Sequence, residues 1–156
     1  MRLHLLAIGQ RMPGWVARGF DEYAARMPRE LPLTLRALPG PARSRAMDTA
    51  TLRRLEGRSL LAAIPEQALV VALDEQGRAV DTRRLADRLA GWQQSGRDVA
   101  LVIGGAAGLD EALRERADWL WSLSPLTFPH MLVRVLVAEQ LYRAWSLLNN
   151  HPYHRA

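Results

Sequence analysis

The last eight residues of the chain concentrate side chains that can do chemistry. The segment NNHPYHRA holds two of the four histidines and one of the three tyrosines among the 156 residues. Chain ends usually fray, and a fraying end rarely holds aromatic and titratable residues so densely. Histidine can accept or donate a proton near neutral pH, and arginine can bind phosphate through two parallel hydrogen bonds. The tail is therefore a candidate functional segment, and docking of Tyr153 onto its own domain is the structural alternative.

Three further candidate segments follow runs that resemble β-strands. Leu73 leads into the polar residues 74–77, Ile103 leads into GGAAG, and Leu123 leads into SPLTFPH. Ligands of open α/β sheets bind beyond the carboxyl ends of the strands, so these loops would form one cleft if their strands are neighbours. Two prolines stiffen the third loop, which favours presentation of backbone groups to a planar ligand such as a nucleobase. A plain loop with a buried leucine and phenylalanine is the alternative.

Several familiar chemistries are not supported by these motifs. GGAAG has neither the lysine of a Walker A loop, because the chain has no lysine, nor the G-x-G-x-x-G spacing of a dinucleotide fingerprint. It fits a tight turn or a close backbone approach to another kind of ligand. His151 and His154 have no cysteine or carboxylate beside them, so no metal site is expected. A G-x-S-x-G elbow for a serine hydrolase is also missing.

Composition narrows the class of protein and the compartment. The net charge is +5, and all 21 basic residues are arginine. This balance favours a polyanionic partner, although genomic base composition also explains the absence of lysine. The chain has no cysteine, and no apolar run approaches the roughly 20 residues of a membrane span. We therefore expect a cytoplasmic protein with a single domain over residues 1–156.

The chemistry-bearing segments must be positioned by alternating strands and helices. Apolar runs predict strands at 2–8, 33–38, 68–73, 98–103 and 119–123, and helices are predicted near 15–27, 49–64, 82–95, 109–117 and 130–148. Residues 39–45 form a predicted basic loop, and residues 74–80 form a predicted polar loop. The fold class is α/β, with a mostly parallel five- to six-stranded sheet and helices on both faces.

The final helix is apolar on several faces, which indicates either a central core position or half of a subunit interface. Arg134, Glu139 and Arg143 interrupt this apolar surface. On such a helix a charged group must be paired, or must reach solvent or a ligand. A structural ion pair between Glu139 and Arg143, four residues apart, is the alternative to a functional role.

The segments VIGGAAGL, WSLSPLTFPHMLVRVLVAEQLYRAW and NNHPYHR, in this order at the C-terminus, resemble the ribosomal large-subunit methyltransferase H family of the SPOUT superfamily. The start, MRLHLLAIGQRMPGWVARGFDEYAARMP, is also similar, so the resemblance covers essentially the whole chain. It implies a deep C-terminal trefoil knot, a rare exception to unthreaded chains. It also implies a homodimer with the last helix in the interface, and S-adenosylmethionine as the cofactor.

The substrate implied by this resemblance is a pseudouridine of 23S rRNA in the assembled ribosome, methylated at N3, with no membrane or DNA partner. By position, the resemblance assigns cofactor contacts to Leu73, Gly104, Leu123, Ser124, Pro125, Leu126, Thr127 and Phe128. Two alternatives remain open, namely a SPOUT methyltransferase acting on another RNA and a non-catalytic, ribosome-associated RNA-binding module.

The resemblance also suggests a role for the tail. Tyr153 would stack on or position the target base, and His154 or Arg155 would contact the imide or a flanking phosphate. The tail of one protomer would complete the site of the other. His154 and Glu139 are both candidates for the general base, and a dedicated base is not required. Arg134 and Arg143 are further candidates for contact with RNA.

Overall fold

Five parallel strands form one sheet in the computed structural model, which describes residues 1–42 and 46–155. The strands are β1 (Leu3–Ile8), β2 (Leu33–Leu38), β3 (Leu69–Ala79), β4 (Val99–Ile103) and β5 (Trp119–Ser122). Their order across the sheet is β2-β1-β4-β3-β5, and every pair of neighbours is parallel. The α/β class and the parallel sheet are therefore confirmed, with five strands. Part of the predicted basic loop, residues 43–45, lies outside the described residues.

Helices cover both faces of this sheet, as the sequence predicts. They are α1 (Gly14–Ala24), α2 (Thr49–Ala63), α3 (Thr82–Ser95), α4 (Glu111–Arg116) and α5 (His130–Leu148), and a short 3-10 helix follows at Pro152–Arg155. The larger core lies between the sheet and α1, α3 and α5, and the smaller core lies under α2 and α4. β4 is buried at all five positions because it lies in the middle of the sheet, which explains its continuous apolar run.

Local sequence explains where α2 and α3 begin. The Asp48 carboxylate accepts the backbone N–H of Thr51 at 2.7 Å, and the Asp81 carboxylate accepts that of Arg84 at 2.9 Å. Each aspartate thereby satisfies one donor of a helical first turn. These caps start α2 and α3, and α3 is anchored under the sheet through the buried Leu85, Leu89 and Trp92.

One expectation about local structure is wrong, and one aromatic side chain lies outside the core. Residues 74–80 are not simply a loop, because β3 continues to Ala79 after an irregularity in which Leu73 and Arg78 both pair with Trp121 of β5. The intervening residues bulge out of the strand. Trp15 does not share the buried face of α1, because Val16 and Phe20 take that face and leave Trp15 56% exposed.

α5 lies between α1 and α3 on the larger core and is the most extensively packed helix. Val137, Ala138, Leu141 and Ala144 are fully buried, whereas Leu148 at its end is exposed. The central position in the core is confirmed for α5. Within the described residues, no helix is long and apolar enough to span a membrane.

Candidate functional site

A cavity of about 520 Å³ opens at the carboxyl edge of the sheet. The bulge within β3 and the loops after β4 and β5 surround it, and α2 and the first turn of α5 complete its walls. β3 pairs with both β4 and β5, so the bulge and the two loops meet because their strands are neighbours. A cavity therefore opens at the sheet edge where the sequence predicts a ligand site.

Seven of the eight residues predicted to contact a cofactor line this cavity. They are Leu73, Gly104, Leu123, Ser124, Leu126, Thr127 and Phe128. Pro125 belongs to the same loop but is not part of the cavity wall. The structure therefore brings nearly the whole predicted set together around one cavity.

The glycine-rich loop forms its wall by close backbone packing. A Cβ added at Gly104 would lie 2.7 Å from the carbonyl oxygen of Gly108, and a Cβ at Gly105 would collide with the Glu56 carboxylate. Neither position tolerates a side chain without movement of its surroundings. The glycines therefore let the loop turn back on itself and leave space beside the main chain for a ligand.

The loop after β5 is held by its own serines. The Ser122 hydroxyl donates to the Ser124 carbonyl at 3.1 Å, and the Ser124 hydroxyl accepts the backbone N–H of Leu126 at 3.0 Å. These bonds hold a turn that leaves the Leu126 side chain 69% exposed at the cavity. An exposed leucine on a stiff loop provides an apolar wall for a planar group.

Charged residues in the cavity form a set that the sequence motifs did not reveal. Asp74 and Arg114 form an ion pair of 2.7 Å, in which the Asp74 side chain is 10% exposed. Arg53 of α2 and His130 of α5 also line the cavity. Burial lowers the pKa of His130, and the nearby Arg134 charge adds to this effect, which favours a neutral imidazole. Only long-range packing brings these residues together, so sequence spacing could not have indicated them.

The tail docks on the larger core of its own protomer, where all three tyrosines meet. The Tyr153 ring lies 4.7 Å from that of Tyr142 and 6.4 Å from that of Tyr23, between ring centroids. The guanidinium of Arg143 lies 4.9 Å from the Tyr153 ring centroid. Docking of Tyr153 onto its own domain is thus observed. We call Tyr23, Tyr142, Tyr153 and Arg143 the tyrosine cluster.

Glu139 connects the tyrosine cluster to α5. Its carboxylate accepts a hydrogen bond from the Tyr153 hydroxyl at 2.9 Å and one from Arg143 Nε at 2.8 Å. The second carboxylate oxygen accepts from Gln140 at 2.8 Å. The ion pair between Glu139 and Arg143, which the sequence left as an alternative, is confirmed. With donors from three side chains, Glu139 is better placed to orient its neighbours than to take up a further proton.

The environment keeps the Tyr153 hydroxyl protonated. Burial raises the pKa of Tyr153 well above its ordinary value, and hydrogen bonds to Tyr23 and Glu139 add to this effect. The hydrogen bond to Glu139 raises the pKa of Arg143, which keeps its guanidinium charged. The cluster therefore presents a neutral phenol beside a fixed cation.

The hydrogen bonds around His154 indicate its tautomer. The Ser146 hydroxyl donates its single proton to the Arg143 carbonyl at 2.7 Å, so its oxygen can only accept from His154 Nδ1, at 3.4 Å. The proton of a neutral imidazole is thereby assigned to Nδ1, and the lone pair of Nε2 remains available. His154 Nε2, which has no hydrogen-bond partner among the described residues, is therefore the ring nitrogen that could accept a proton.

The remaining predicted residues lie apart from one another. Arg134 is fully buried and donates through Nη2 to the carbonyls of Ile8 and Gly9, at 2.9 and 2.8 Å, so its guanidinium does not face the protein surface. Arg155 is exposed in the tail.

The tail and the cavity lie at different parts of α5. Tyr142, beneath the tail, lies nine residues after the cavity residue Val133, which corresponds to about 14 Å along α5. None of the described tail residues lines the cavity of its own protomer.

An all-parallel α/β sheet with a cavity at the carboxyl ends of its strands places the protein in the class of α/β folds that bind ligands at this edge. The family described as "Predicted SPOUT methyltransferase" matches residues 1–154. A protein named ribosomal RNA large subunit methyltransferase H from Thioalkalivibrio sulfidiphilus (strain HL-EbGR7) is 56% identical over 155 residues, 99% of each chain. One of the same name from Burkholderia vietnamiensis (strain G4 / LMG 22486) is 55% identical over 156 residues, 100% of each chain. The chain belongs to the SPOUT methyltransferases, and within them to the ribosomal RNA large subunit methyltransferase H family.

The cavity fits the methyl donor that this family assignment suggests. Its volume of about 520 Å³ lies within the range of small-molecule sites. Leu73, Leu123 and Leu126 offer apolar surface for a purine ring, and the Gly104 backbone leaves room close to the main chain. Arg53 adds a cationic group to the cavity wall, while the Asp74 carboxylate in that wall is paired with Arg114.

Proposed function

We propose that this protein transfers a methyl group from S-adenosylmethionine to N3 of a pseudouridine in 23S rRNA of the assembled ribosome. The observation that carries the proposal is the convergence of seven predicted cofactor residues on one cavity, in a chain of this family. The relatives' name, ribosomal RNA large subunit methyltransferase H, supports a ribosomal RNA substrate. The net charge of +5 suits a polyanion, while recognition of a whole particle would supply more binding than charge alone.

Bound in the cavity, the cofactor would supply a methyl group already activated by a sulfonium. The protein then has to hold N3 of the base in line with that methyl and to help N3 lose its proton. Leu123 to Phe128 would hold the cofactor in a fixed orientation. The apolar walls would exclude water from the transfer.

The tail would supply the groups that act on the base. Tyr153, kept neutral and held by Glu139, would stack on the base or donate to one of its carbonyls. His154 Nε2 is the better placed proton acceptor, because Ser146 accepts from Nδ1 while Glu139 is already occupied by donors. Arg143 and Arg155 would meet the flanking phosphates. Arg134 is not included, since its guanidinium is buried on the carbonyls after β1.

A homodimer would bring the tail and the cavity together. The two lie at different parts of α5 within one protomer, so a shared site requires the tail of one copy at the cavity of the other. The half-buried apolar residues of α5 and the exposed Leu148 would form the interface. The trefoil knot implied by the family resemblance remains a prediction.

The test is radiolabelled methyl transfer from S-adenosylmethionine to whole ribosomes, free large subunits and naked 23S rRNA from a strain lacking the gene. Mass spectrometry would then locate the label. We expect label at N3 of one pseudouridine, strongest on whole ribosomes. Label on another RNA would redirect the proposal to a different substrate. No label, together with no cofactor binding by calorimetry, would favour a non-catalytic module.

The tail roles need a separate comparison of variants. His154→Gln removes the proposed acceptor and should reduce the rate of transfer by roughly 10²- to 10⁴-fold if it acts as a general base. Arg29→Gln is the matched control, because it removes an exposed charge before β2, at the opposite edge of the sheet. If Tyr153→Ala and His154→Gln both turned over at the wild-type rate, the tail would not take part in the reaction.

A further inference from the structure

The indole of Trp15 stands apart from every other tryptophan in the protein. It is 56% exposed, whereas Trp92, Trp119 and Trp121 are at most 8% exposed. Trp119 stacks on Trp121, Trp92 lies tilted against Trp119, and Trp145 stacks on Tyr142. Trp15 makes no ring contact with any described residue. Since α1 is anchored by the buried Val16 and Phe20, the exposed indole is not needed to attach the helix.

Two exposed arginines lie close to Trp15 in the sequence. Arg11 precedes it in the exposed loop before α1, and Arg18 follows it by three residues, on the same side of the helix. The Arg18 guanidinium folds back over the first turn, with Nη1 3.0 Å from a Cβ built on Gly14. Neither arginine has an ion-pair partner among the described residues. We call Trp15, Arg11 and Arg18 the α1 patch.

The α1 patch faces the same edge of the protein as the cavity. All five strands are parallel, so the loop from β1 into α1 leaves the sheet at the edge where the cavity opens. The two are also linked by contact. A Cβ built on Gly9, at the start of this loop, would lie 3.1 Å from Met131, which follows the cavity residue His130.

We propose that the α1 patch is a second RNA-binding site, which holds an unpaired nucleotide near the nucleotide that is methylated. Its base would stack on Trp15, and its phosphates would pair with Arg11 and Arg18. An exposed aromatic ring beside free guanidinium groups has the chemistry of single-stranded nucleic-acid sites. The choice of RNA as the occupant rests on the proposed function and on this charge complementarity. An interface with a second copy of the chain is the alternative that the test must separate.

The experiment measures binding and turnover separately, on ribosomal particles from a strain lacking the gene. Trp15→Ala should weaken particle binding by about tenfold, the effect of losing one stacked base, and raise KM with little change in kcat. Trp15→Phe keeps a ring and should restore most of the binding. Affinity for S-adenosylmethionine, by calorimetry, and the mass of the protein, by sedimentation, should both be unchanged.

The role of Arg18 is tested by the salt dependence of binding to ribosomal particles. Arg18→Gln should lower the slope of log affinity against log salt concentration by about one, because one phosphate contact is lost. Arg29→Gln, the control at the opposite edge of the sheet, should leave the slope unchanged. If Arg18→Gln and Arg29→Gln lowered the slope equally, binding would depend only on the total charge of the protein, and the proposed site would be overturned.

The outcomes separate this inference from the proposed function. Wild-type methylation with equal particle binding by Trp15→Ala would overturn the patch and leave the function intact. Binding that depends on Trp15 without methylation of any particle would support the α1 patch and overturn the proposed function. Dissociation of an oligomer by Trp15→Ala would assign the patch to an interface between copies. Neither binding nor methylation by the wild type would overturn both proposals.

Discussion

At the scale of single residues, the carboxylate in the cavity and the carboxylate beside the tail differ in the number of side chains that hold them. In the cavity, Asp74 is held by one arginine, and its side chain is almost removed from solvent. At the tail, Glu139 collects donors from Tyr153, Arg143 and Gln140 and remains nearer the surface. Removal of Arg114 would leave the buried Asp74 carboxylate without its ion-pair partner. Removal of one donor from Glu139 would leave that carboxylate with two others.

This difference predicts the effect of removing Arg114. Arg114→Gln should leave the Asp74 carboxylate buried without a cation and destabilise the protein by about 1–3 kcal/mol. It should also disturb the cavity wall and weaken S-adenosylmethionine binding. Urea denaturation and calorimetry measure the two effects. Glu111→Gln is the control, since the exposed Glu111 lies 3.8 Å from the same arginine and should contribute less than about 0.5 kcal/mol. Similar losses from both variants would contradict the importance of the buried pair.

Protonation of His130 should make the stability of the protein depend on pH, and the burial of the imidazole sets the direction of this dependence. Burial lowers its pKa below the ordinary value of 6.5, so the unfolded chain binds a proton first as the pH falls. The stability of the folded protein should therefore decrease as the pH falls from 6.5 toward the lower pKa of the folded state. Above 6.5 both states carry the neutral imidazole, and the contribution is constant.

Replacement of this histidine tests the effect directly. In His130→Gln, stability from thermal unfolding should decrease less between pH 7 and pH 5.5 than in the wild type. By NMR, the imidazole signal that disappears in this variant should titrate below 6.5. An imidazole that titrates at or above this value would show that burial does not control its charge.

The sequence predicts most of the loop residues that line the cavity, but it does not predict the charged residues that reach the cavity from α2 and α5. Leu123 to Phe128 and Gly104 follow strands, and strand ends are visible in a sequence as breaks in apolar runs. Arg53 and His130 reach the cavity only because α2 and α5 pack beside it, and no local spacing encodes that packing. Arg134 was misleading for the same reason, since its burial against the carbonyls of Ile8 and Gly9 depends on a contact across 126 positions.

At the scale of elements, the irregularity of β3 connects the sheet to the cavity. The strand leaves the sheet after Leu73, forms the cavity residues 74–76, and returns at Arg78 to pair with the same residue of β5. The sequence predicted a loop here, because polar residues interrupt the apolar run. The return to the sheet depends on β5, which is 40 or more positions away, and was therefore not predictable from local pattern.

Gly77 makes this return possible and predicts a sensitive position. A Cβ at Gly77 would lie 2.6 Å from the Leu120 carbonyl oxygen, so Gly77→Ala should force β3 away from β5. We expect a loss of about 1–3 kcal/mol in the free energy of unfolding, as for other overpacked sites. The cavity should lose affinity for S-adenosylmethionine as well, because residues 74–76 move with the strand.

The matched control is another glycine-to-alanine change in the same part of the chain. Gly91 lies on the exposed side of α3, and a Cβ there would meet nothing within 4 Å. Gly91→Ala should increase stability by roughly 0.5–1 kcal/mol, since alanine favours a helix over glycine. Urea denaturation of both variants gives the comparison. A neutral Gly77→Ala would mean that β3 and β5 separate at little cost.

At the scale of the whole molecule, the separation of cavity and tail ties the proposed reaction to the proposed homodimer. Each protomer holds a complete cavity and a complete tyrosine cluster, but no described tail residue reaches its own cavity. An isologous dimer would create two equivalent sites, each made from the cavity of one copy and the tail of the other. The prediction is that two differently inactivated protomers restore activity when they are mixed.

The two variants are chosen so that each leaves the fold intact. Leu126→Arg places a long side chain on an exposed loop residue and should block the cavity. His154→Gln removes the proposed proton acceptor from the tail, where the side chain is only partly buried. Each variant alone should be almost inactive. After exchange of subunits, half of the dimers would be mixed, and one of the two sites in each mixed dimer would combine an intact cavity with an intact tail.

The mixture should therefore recover about a quarter of the wild-type rate if the tail acts in the partner's site. If the tail served the cavity of its own protomer, no mixed dimer would contain an intact site and the mixture would stay inactive. Exchange is checked by sedimentation and by mass spectrometry of the mixed species, so inactivity cannot be confused with failed mixing. Methyl transfer to ribosomal particles is the readout. A mixture that exchanges fully and remains inactive would place the reaction within one protomer, and the tail would then have to leave the tyrosine cluster to reach its own cavity.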